Sequence, residues 1–314
     1  MNTKGIALAL VLTIWGCGTL AAQDKPLGLK RPDTLKVAIK DSTDHLGIVG
    51  LPYFSYSPET ELKVGIAGII SFHLDDRDVP NRRSSTLSAG ASASQLGQNM
   101  IATNFDLYFN RLRSRVSGRV GYENMPVRYY GIGAETPQEN EIWFYPLYLK
   151  IFASYFHRVV QTDEGQGFTV GGRLEYWNTV VDQELTMTPS FGAPTGWEGG
   201  LNVGLGLTMT YDTRDNAYFP TKNFYVEARS MTYPKVLKAD FGYTRSYVDL
   251  RGFTSVPIGS ELLVIGGQML YDITIGDAPF YDLPTYGGDL LMRGILRSRF
   301  VDQASWCGQV EARA

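Results

Sequence analysis

The sequence predicts an all-β fold, an antiparallel barrel that crosses a membrane on its strands, and three observations carry that prediction. An apolar leader opens the chain, which marks it for export. From Ile48 onward, stretches of roughly ten residues alternate in polarity and are separated by turn residues, with no convincing helical period. After the leader no stretch reaches the ~18 unbroken apolar residues of a transmembrane helix. An exported chain of this kind is soluble, lipid-anchored or a membrane β-barrel.

Met1 to Ala22 carries one charge, Lys4, then an apolar run from Ile6 to Trp15 and small residues through Ala21-Ala22. That is a secretory signal cleaved before Gln23. An uncleaved anchor is the alternative, and Cys17 offers a lipid attachment site, although the bulky Trp15 two positions before it fits a lipobox poorly. Cleavage removes only Lys4, so 28 of the 29 basic residues remain against 32 acidic ones. No basic patch argues for nucleic acid. Of the two cysteines only Cys307 would remain, so no internal disulfide forms. Residues 23–47 are polar, with Pro26 and Pro32, and read as a periplasmic linker. They are too few for an independent domain of about 50 residues. The barrel then occupies 48–314.

The alternation is plain along Leu201 to Tyr211. Leu201, Val203, Leu205, Leu207, Met209 and Tyr211 form one face, and Asn202, Gly204, Gly206, Thr208 and Thr210 the other. Similar faces run along 101–110, 113–123 and 168–179. Two architectures produce this pattern. A soluble barrel or sandwich turns the apolar face inward; an outer-membrane barrel turns it to lipid and lines its lumen with the polar face. Segment length favours the membrane, since spanning takes about 9–11 tilted residues and soluble strands average nearer five or six. Tyr and Trp near strand ends suit membrane interfaces.

Twelve strands follow: 48–57, 61–74, 84–95, 99–110, 113–123, 142–157, 167–181, 200–211, 222–233, 241–255, 260–273 and 305–314. The long connections, 124–141, 182–199 and 274–304, all follow odd-numbered strands and so share one side. Long loops of such barrels face outward, so the first strand rises from the periplasm. The last of these loops holds the stretch Tyr286 to Asp302, opened by two glycines and centred on Arg293-Gly294, with Arg297, Arg299 and Asp302 after it. Loops of that length in compact folds are usually functional.

Asp212, Arg214, Asp215, Phe219, Pro220 and Thr221 match the periplasmic turn of the bacterial surface antigen family, which includes the BamA and TamA assembly barrels. Asn223 stands where that family has Gly, and Asn also tolerates positive φ. The motif's own chemistry is that of a rigid turn, with Pro fixing the bend and Asp/Arg pairing locally. Met292-Arg293-Gly294-Ile295 resembles the family's Val-Arg-Gly-Phe/Tyr hallmark, with both flanking residues changed. Gln309 to Arg313 resembles the strand whose inward glutamate pairs with that arginine, which makes Glu311 the expected partner of Arg293. The resemblance also takes in 51–61 and 128–133 and so covers about 48–314.

The resemblance implies a barrel with a long loop folded inward, held by Arg293, Gly294 and Glu311. It implies assembly, insertion or translocation of outer-membrane proteins through a lateral seam, in the bacterial outer membrane. The implied partners are outer-membrane lipid, unfolded outer-membrane proteins and periplasmic chains. Two departures stand out: 23–47 has no room for the polypeptide-transport-associated (POTRA) domains that precede family barrels, and twelve strands of an expected sixteen suggest a C-terminally truncated chain. A passive pore or a surface-exposed structural barrel is the alternative. Catalysis finds no support: His45, His73 and His157 are the only histidines, and no Gly-x-Ser-x-Gly or Cys/His cluster accompanies them. No enzyme, metal or cofactor is expected.

Overall fold

The computed structural model describes residues 46–57, 60–75, 83–124, 126–161, 167–216, 219–259, 261–287, 292, 294–296 and 298–313. The signal peptide at 1–22 and all but the last two linker residues lie outside the described residues. The strands are β1 (Gly47–Ser57), β2 (Glu61–Phe72), β3 (Ser85–Ser94), β4 (Asn99–Phe109), β5 (Ser114–Asn124), β6 (Val127–Tyr129), β7 (Ile142–Phe144) and β8 (Pro146–Gln161). They continue with β9 (Gly167–Val181), β10 (Gly199–Asp212), β11 (Asn223–Tyr233), β12 (Tyr243–Ile258), β13 (Glu261–Gly276), β14 (Thr285–Tyr286), β15 (Phe300–Val301) and β16 (Ala304–Arg313). Twelve of them form one antiparallel sheet in the order β1-β2-β3-β4-β5-β8-β9-β10-β11-β12-β13-β16. Among the described residues no helix is long and apolar enough to cross a membrane.

Burial on β10 decides between the two architectures. Leu207 on the apolar face is 64% exposed, whereas Asn202 on the polar face is 0% exposed and Thr208 is buried. Polar residues inside and large apolar residues outside invert the order of a water-soluble β protein and match a barrel facing lipid. Glycines on the inner face make room for rings from neighbouring strands. A Cβ at Gly204 would stand 2.5 Å from the Tyr233 ring, so only glycine lets that ring lie flat against the wall.

The expected strand at 142–157 needs correction. Ile142–Phe144 leaves the sheet and pairs with β6, Val127 opposite Phe144 and Tyr129 opposite Ile142. The wall strand starts at Pro146, which tolerates a strand's first position because it has no N–H to donate. The bend at Tyr145 is stitched to the next long loop, its N–H on Thr186 Oγ1 (3.2 Å) and its carbonyl accepting the Asp182 N–H (3.0 Å). The apolar alternation runs unbroken through this bend, so the pattern conceals it.

The long connections after β5, β9 and β13 meet at one rim. Their aromatic residues form a buried cap: Tyr129, Phe144, Trp197 and Phe280 lie within 4.6–5.5 Å of one another where their rings pair. Two backbone bonds tie the last loop to the others, Gly133 N–H to Val301 O (2.8 Å) and Phe280 N–H to Thr195 O (3.0 Å). Arg299 adds a third tie through Thr136, at its hydroxyl (2.9 Å) and its carbonyl (2.6 Å).

Candidate functional site

The last long loop turns back beneath this cap through a 3-10 turn, Phe280–Asp282, bracketed by Pro279 and Pro284. The two prolines restrict φ and hold the turn open on opposite sides. Phe280 points into the cap. Asp282 instead meets the barrel wall, where Arg245 Nη1 donates to its Oδ1 (2.8 Å) and its carbonyl (3.0 Å), and the Tyr243 hydroxyl donates to its Oδ2 (2.5 Å). The other edge of Arg245 forms a bidentate pair with Asp272 (3.0 and 2.7 Å).

The contacts continue around the wall. The Tyr243 ring stacks on Tyr233 at 4.4 Å and 19°. The Tyr233 hydroxyl donates to Glu175 (3.2 Å), and Glu175 also takes Arg173 (2.6 Å) and Lys150 (3.3 Å). Three cations (Lys150, Arg173, Arg245) therefore balance three buried or half-buried carboxylates (Glu175, Asp272, Asp282). Charge balance matters here because an unmatched ion in a low-dielectric lumen is costly. The arrangement is a latch: one loop carboxylate held by two residues of β12, which are braced directly against β11 and β13 and, through Tyr233, against β9 and β8.

A second polar group lies further along the lumen. Asp249, 1% exposed, takes three bonds from Arg251 and one from Gln268 Nε2 (3.0 Å), and Gln309 Nε2 reaches Gln268 Oε1 (2.6 Å). Glu311 stands two residues along β16 from Gln309, opposite Gly266, and shares that inner face. Arg293 lies outside the described residues. Gly294 has φ +92°, a conformation that favours glycine, in open space.

At the opposite rim the β10–β11 turn is tightly bonded. Arg214 pairs with Asp212 through Nε (2.9 Å) and Nη2 (2.8 Å). Asp215 accepts the Thr221 hydroxyl (2.5 Å) and the N–H groups of Thr221 (2.9 Å) and Lys222 (3.2 Å). Asn223 has φ +72° and donates from Nδ2 to the Thr213 carbonyl (3.0 Å), so it fills a left-handed position. Phe219 is exposed and Pro220 buried.

Slight burial pushes the Asp215 carboxyl up, but the hydrogen bonds from Thr221 and Lys222 outweigh it and hold the group at about 2, below the usual 3.8. A depressed carboxylate stabilises above its unfolded value and loses that contribution as pH falls. The turn is therefore expected to loosen between about pH 4 and pH 2, read as faster amide exchange at Thr221 and Lys222. Asp215→Asn should give that loosened exchange at neutral pH; unchanged exchange in both cases would refute the carboxylate's role.

Residues 83–300 match the Omp85 superfamily domain. The chain belongs to the Omp85 superfamily. Its fold is similar to that of BamA from Haemophilus ducreyi, crystallised without POTRA domains 1–3, with a TM-score of 0.50 and 15% identity. That likeness covers 81% of this chain and 46% of the BamA chain, so this chain spans under half the length of the structure it matches. No curated protein matches it. An Omp85 barrel resides in the outer membrane, which agrees with the outward apolar face.

Within this Omp85 barrel the structure joins the turn residues in two pairs, Asp212 with Arg214 and Asp215 with Thr221, while the Pro220 carbonyl accepts from Arg313 on β16. It places Glu311 at the inner wall. Sequence reasoning missed the latch, because Arg245 and Asp282 lie 37 residues apart on different elements and form no local motif. The signal available was Pro279 and Pro284 around a single acidic residue.

Proposed function

We propose that this chain works as an outer-membrane assembly barrel, assisting insertion or translocation of other outer-membrane proteins along a seam between strand edges. The latched loop carries this reading. With the lumen occupied by the Asp282 latch and one mouth covered by the aromatic cap, the route for a client lies at a sheet edge rather than through the centre. An edge strand offers free N–H and C=O groups that recruit an incoming β segment. Unfolded outer-membrane proteins are the clients, periplasmic chains the suppliers, and lipid the surrounding solvent. Arg293 is proposed to pair with Glu311, a bidentate contact suited to holding a loop tip inside a lumen.

Depleting the protein is expected to leave unfolded barrels in the periplasm, a defect that the wild-type gene repairs. Absence of that defect, together with ion conductance that survives deletion of residues 277–303, would establish a passive pore instead.

A further inference from the structure

A polar patch interrupts the outer wall beneath the turn that joins β11 to β12. Tyr233 and Tyr243 point inward to the latch, so their neighbours Thr232 and Thr244 point outward, as do Ser230 and Ser246 two residues further along. The Thr232 and Thr244 hydroxyls share a hydrogen bond (3.1 Å), and so do those of Ser230 and Ser246 (3.0 Å). Each pair uses one of its two O–H protons and leaves the other without a partner among the described residues. A hydroxyl left unsatisfied against hydrocarbon costs free energy, so this grid needs a polar neighbour. Its frame does not supply one. Leu205 and Leu207 flank it on β10, Ile275 and Ile273 on β13, and Ala228 and Val248 follow below it on the same face.

The fourth side opens toward the rim, where a cation lies over it. The turn Lys235–Leu237 belongs to the cap rim: Ala239 is part of the buried core of the cap, and Phe241 packs against that core. Because Tyr243 faces the lumen, Gly242 before it faces outward. A Cβ at Gly242 would lie 3.3 Å from Lys235 Cε and 3.5 Å from its Cγ. The lysine stem therefore lies along the outer wall, above Thr244 on the same face. Val236 and Leu237 beside it are exposed. A lysine with its stem on apolar surface and its ammonium at the water boundary is suited to a membrane interface.

We propose that this face binds the headgroup of a phosphorylated saccharide lipid, with a sugar on the four hydroxyls and a phosphate on Lys235. The long loops place the cap rim outside, so the lipid is one of the outer leaflet. Adjacent strands lie about 4.8 Å apart and successive residues of one face about 7 Å, so the grid has the dimensions of a single sugar ring. Sugar hydroxyls donate and accept, which satisfies the leftover O–H groups and lone pairs. Lys235 supplies a point charge for phosphate. The acyl chains then run down the wall along Leu205, Leu207, Ile273 and Ile275. A glycerophospholipid offers the phosphate without the ring of hydroxyls. The site rests on the lipid-facing outer wall and does not depend on the assembly reading.

The test is thermal unfolding of the purified full chain in maltoside micelles, titrated with diphosphorylated lipid A, the same lipid stripped of phosphate, or phosphatidylglycerol. Lipid A is expected to raise Tm saturably. The dephosphorylated lipid should need an about tenfold higher concentration, and phosphatidylglycerol should have little effect. Thr232→Val/Thr244→Val keeps both side-chain shapes and removes both hydroxyls; it should raise the half-saturating concentration of lipid A about tenfold. Lys235→Gln, in an exposed turn outside the sheet, should weaken the response to lipid A and leave that to the dephosphorylated lipid unchanged. Thr103→Val removes a hydroxyl on the outward face of β4, the face of Ile101, and should change nothing. A merely structural role for the threonines would shift the basal Tm and leave the titration as it was, which would overturn the site. So would a rise that phosphatidylglycerol matches, or no rise with lipid A. A dimer that the double variant disperses would put a second copy of the chain on this face instead.

Discussion

Arg245→Ala is expected to free the inward loop and cost about 3–5 kcal/mol, because it strands two enclosed carboxylates at once. The Asp272 and Asp282 side chains are 16% and 9% exposed, and Arg245 is the only cation bridged to either among the described residues. The readouts are equilibrium unfolding in vesicles and protease cleavage within 277–303, which should both shift. Arg245→Lys should recover only part of the loss, since one ammonium cannot fork onto two carboxylates. Asp282→Asn should cost less, because the amide oxygen still accepts from Arg245 and the amide N–H can donate to the Tyr243 hydroxyl oxygen in place of the bond that Oδ2 accepted. Arg293→Ala offers an independent comparison: faster cleavage supports the pairing with Glu311, and unchanged protection removes it while leaving the Asp282 latch intact. Full protection in Arg245→Ala would show that the cap alone retains the loop.

That last outcome matters because cap and latch are different kinds of attachment. The cap is apolar packing among Tyr129, Phe144, Trp197 and Phe280, which is non-directional and tolerates small shifts. The latch is a directional ion pair that is either made or broken. A loop held by both is fixed in depth by Asp282 and sealed by Phe280, two residues apart on one turn. This combination favours a lumen that stays shut, as the proposed route along the strand edges requires.

The wall strands were legible because each residue pair obeys a strict period of two. Leu207 and Thr208 already sit on the faces where the structure places them, and the spacing of long loops already assigned them to one rim. The hairpin of β6 and β7 was not legible. Ile142-Trp143-Phe144 alternates like the strand it precedes, and only the contacts of Tyr145 with Asp182 and Thr186 reveal the bend. The turn at 212–223 could be read in detail because its partners lie within ten residues of one another. Asn223, for example, was readable as a left-handed residue and adopts φ +72°. The latch escaped for the opposite reason: its partners come together only when distant strands register.

Leu207→Arg should destabilise the barrel in lipid by about 2–4 kcal/mol, and the position along the strand should set the size of the effect. Leu207 lies well inside β10, opposite Gly172 on β9 and Ser230 on β11, with its side chain outward. A guanidinium there must thin the bilayer or reach for the interface. Tyr211 shares that face near the end of β10, so Tyr211→Arg should cost about 0–1 kcal/mol. A water-soluble sheet predicts a different result, because an exposed leucine exchanged for arginine is close to neutral at either site. The measurement is reversible denaturant unfolding of both variants from phospholipid vesicles. A cost at Leu207 that falls away at Tyr211 places β10 across the bilayer. Equal costs, or none at Leu207, would remove lipid from the outer face and with it the membrane reading of every strand that shares this alternation.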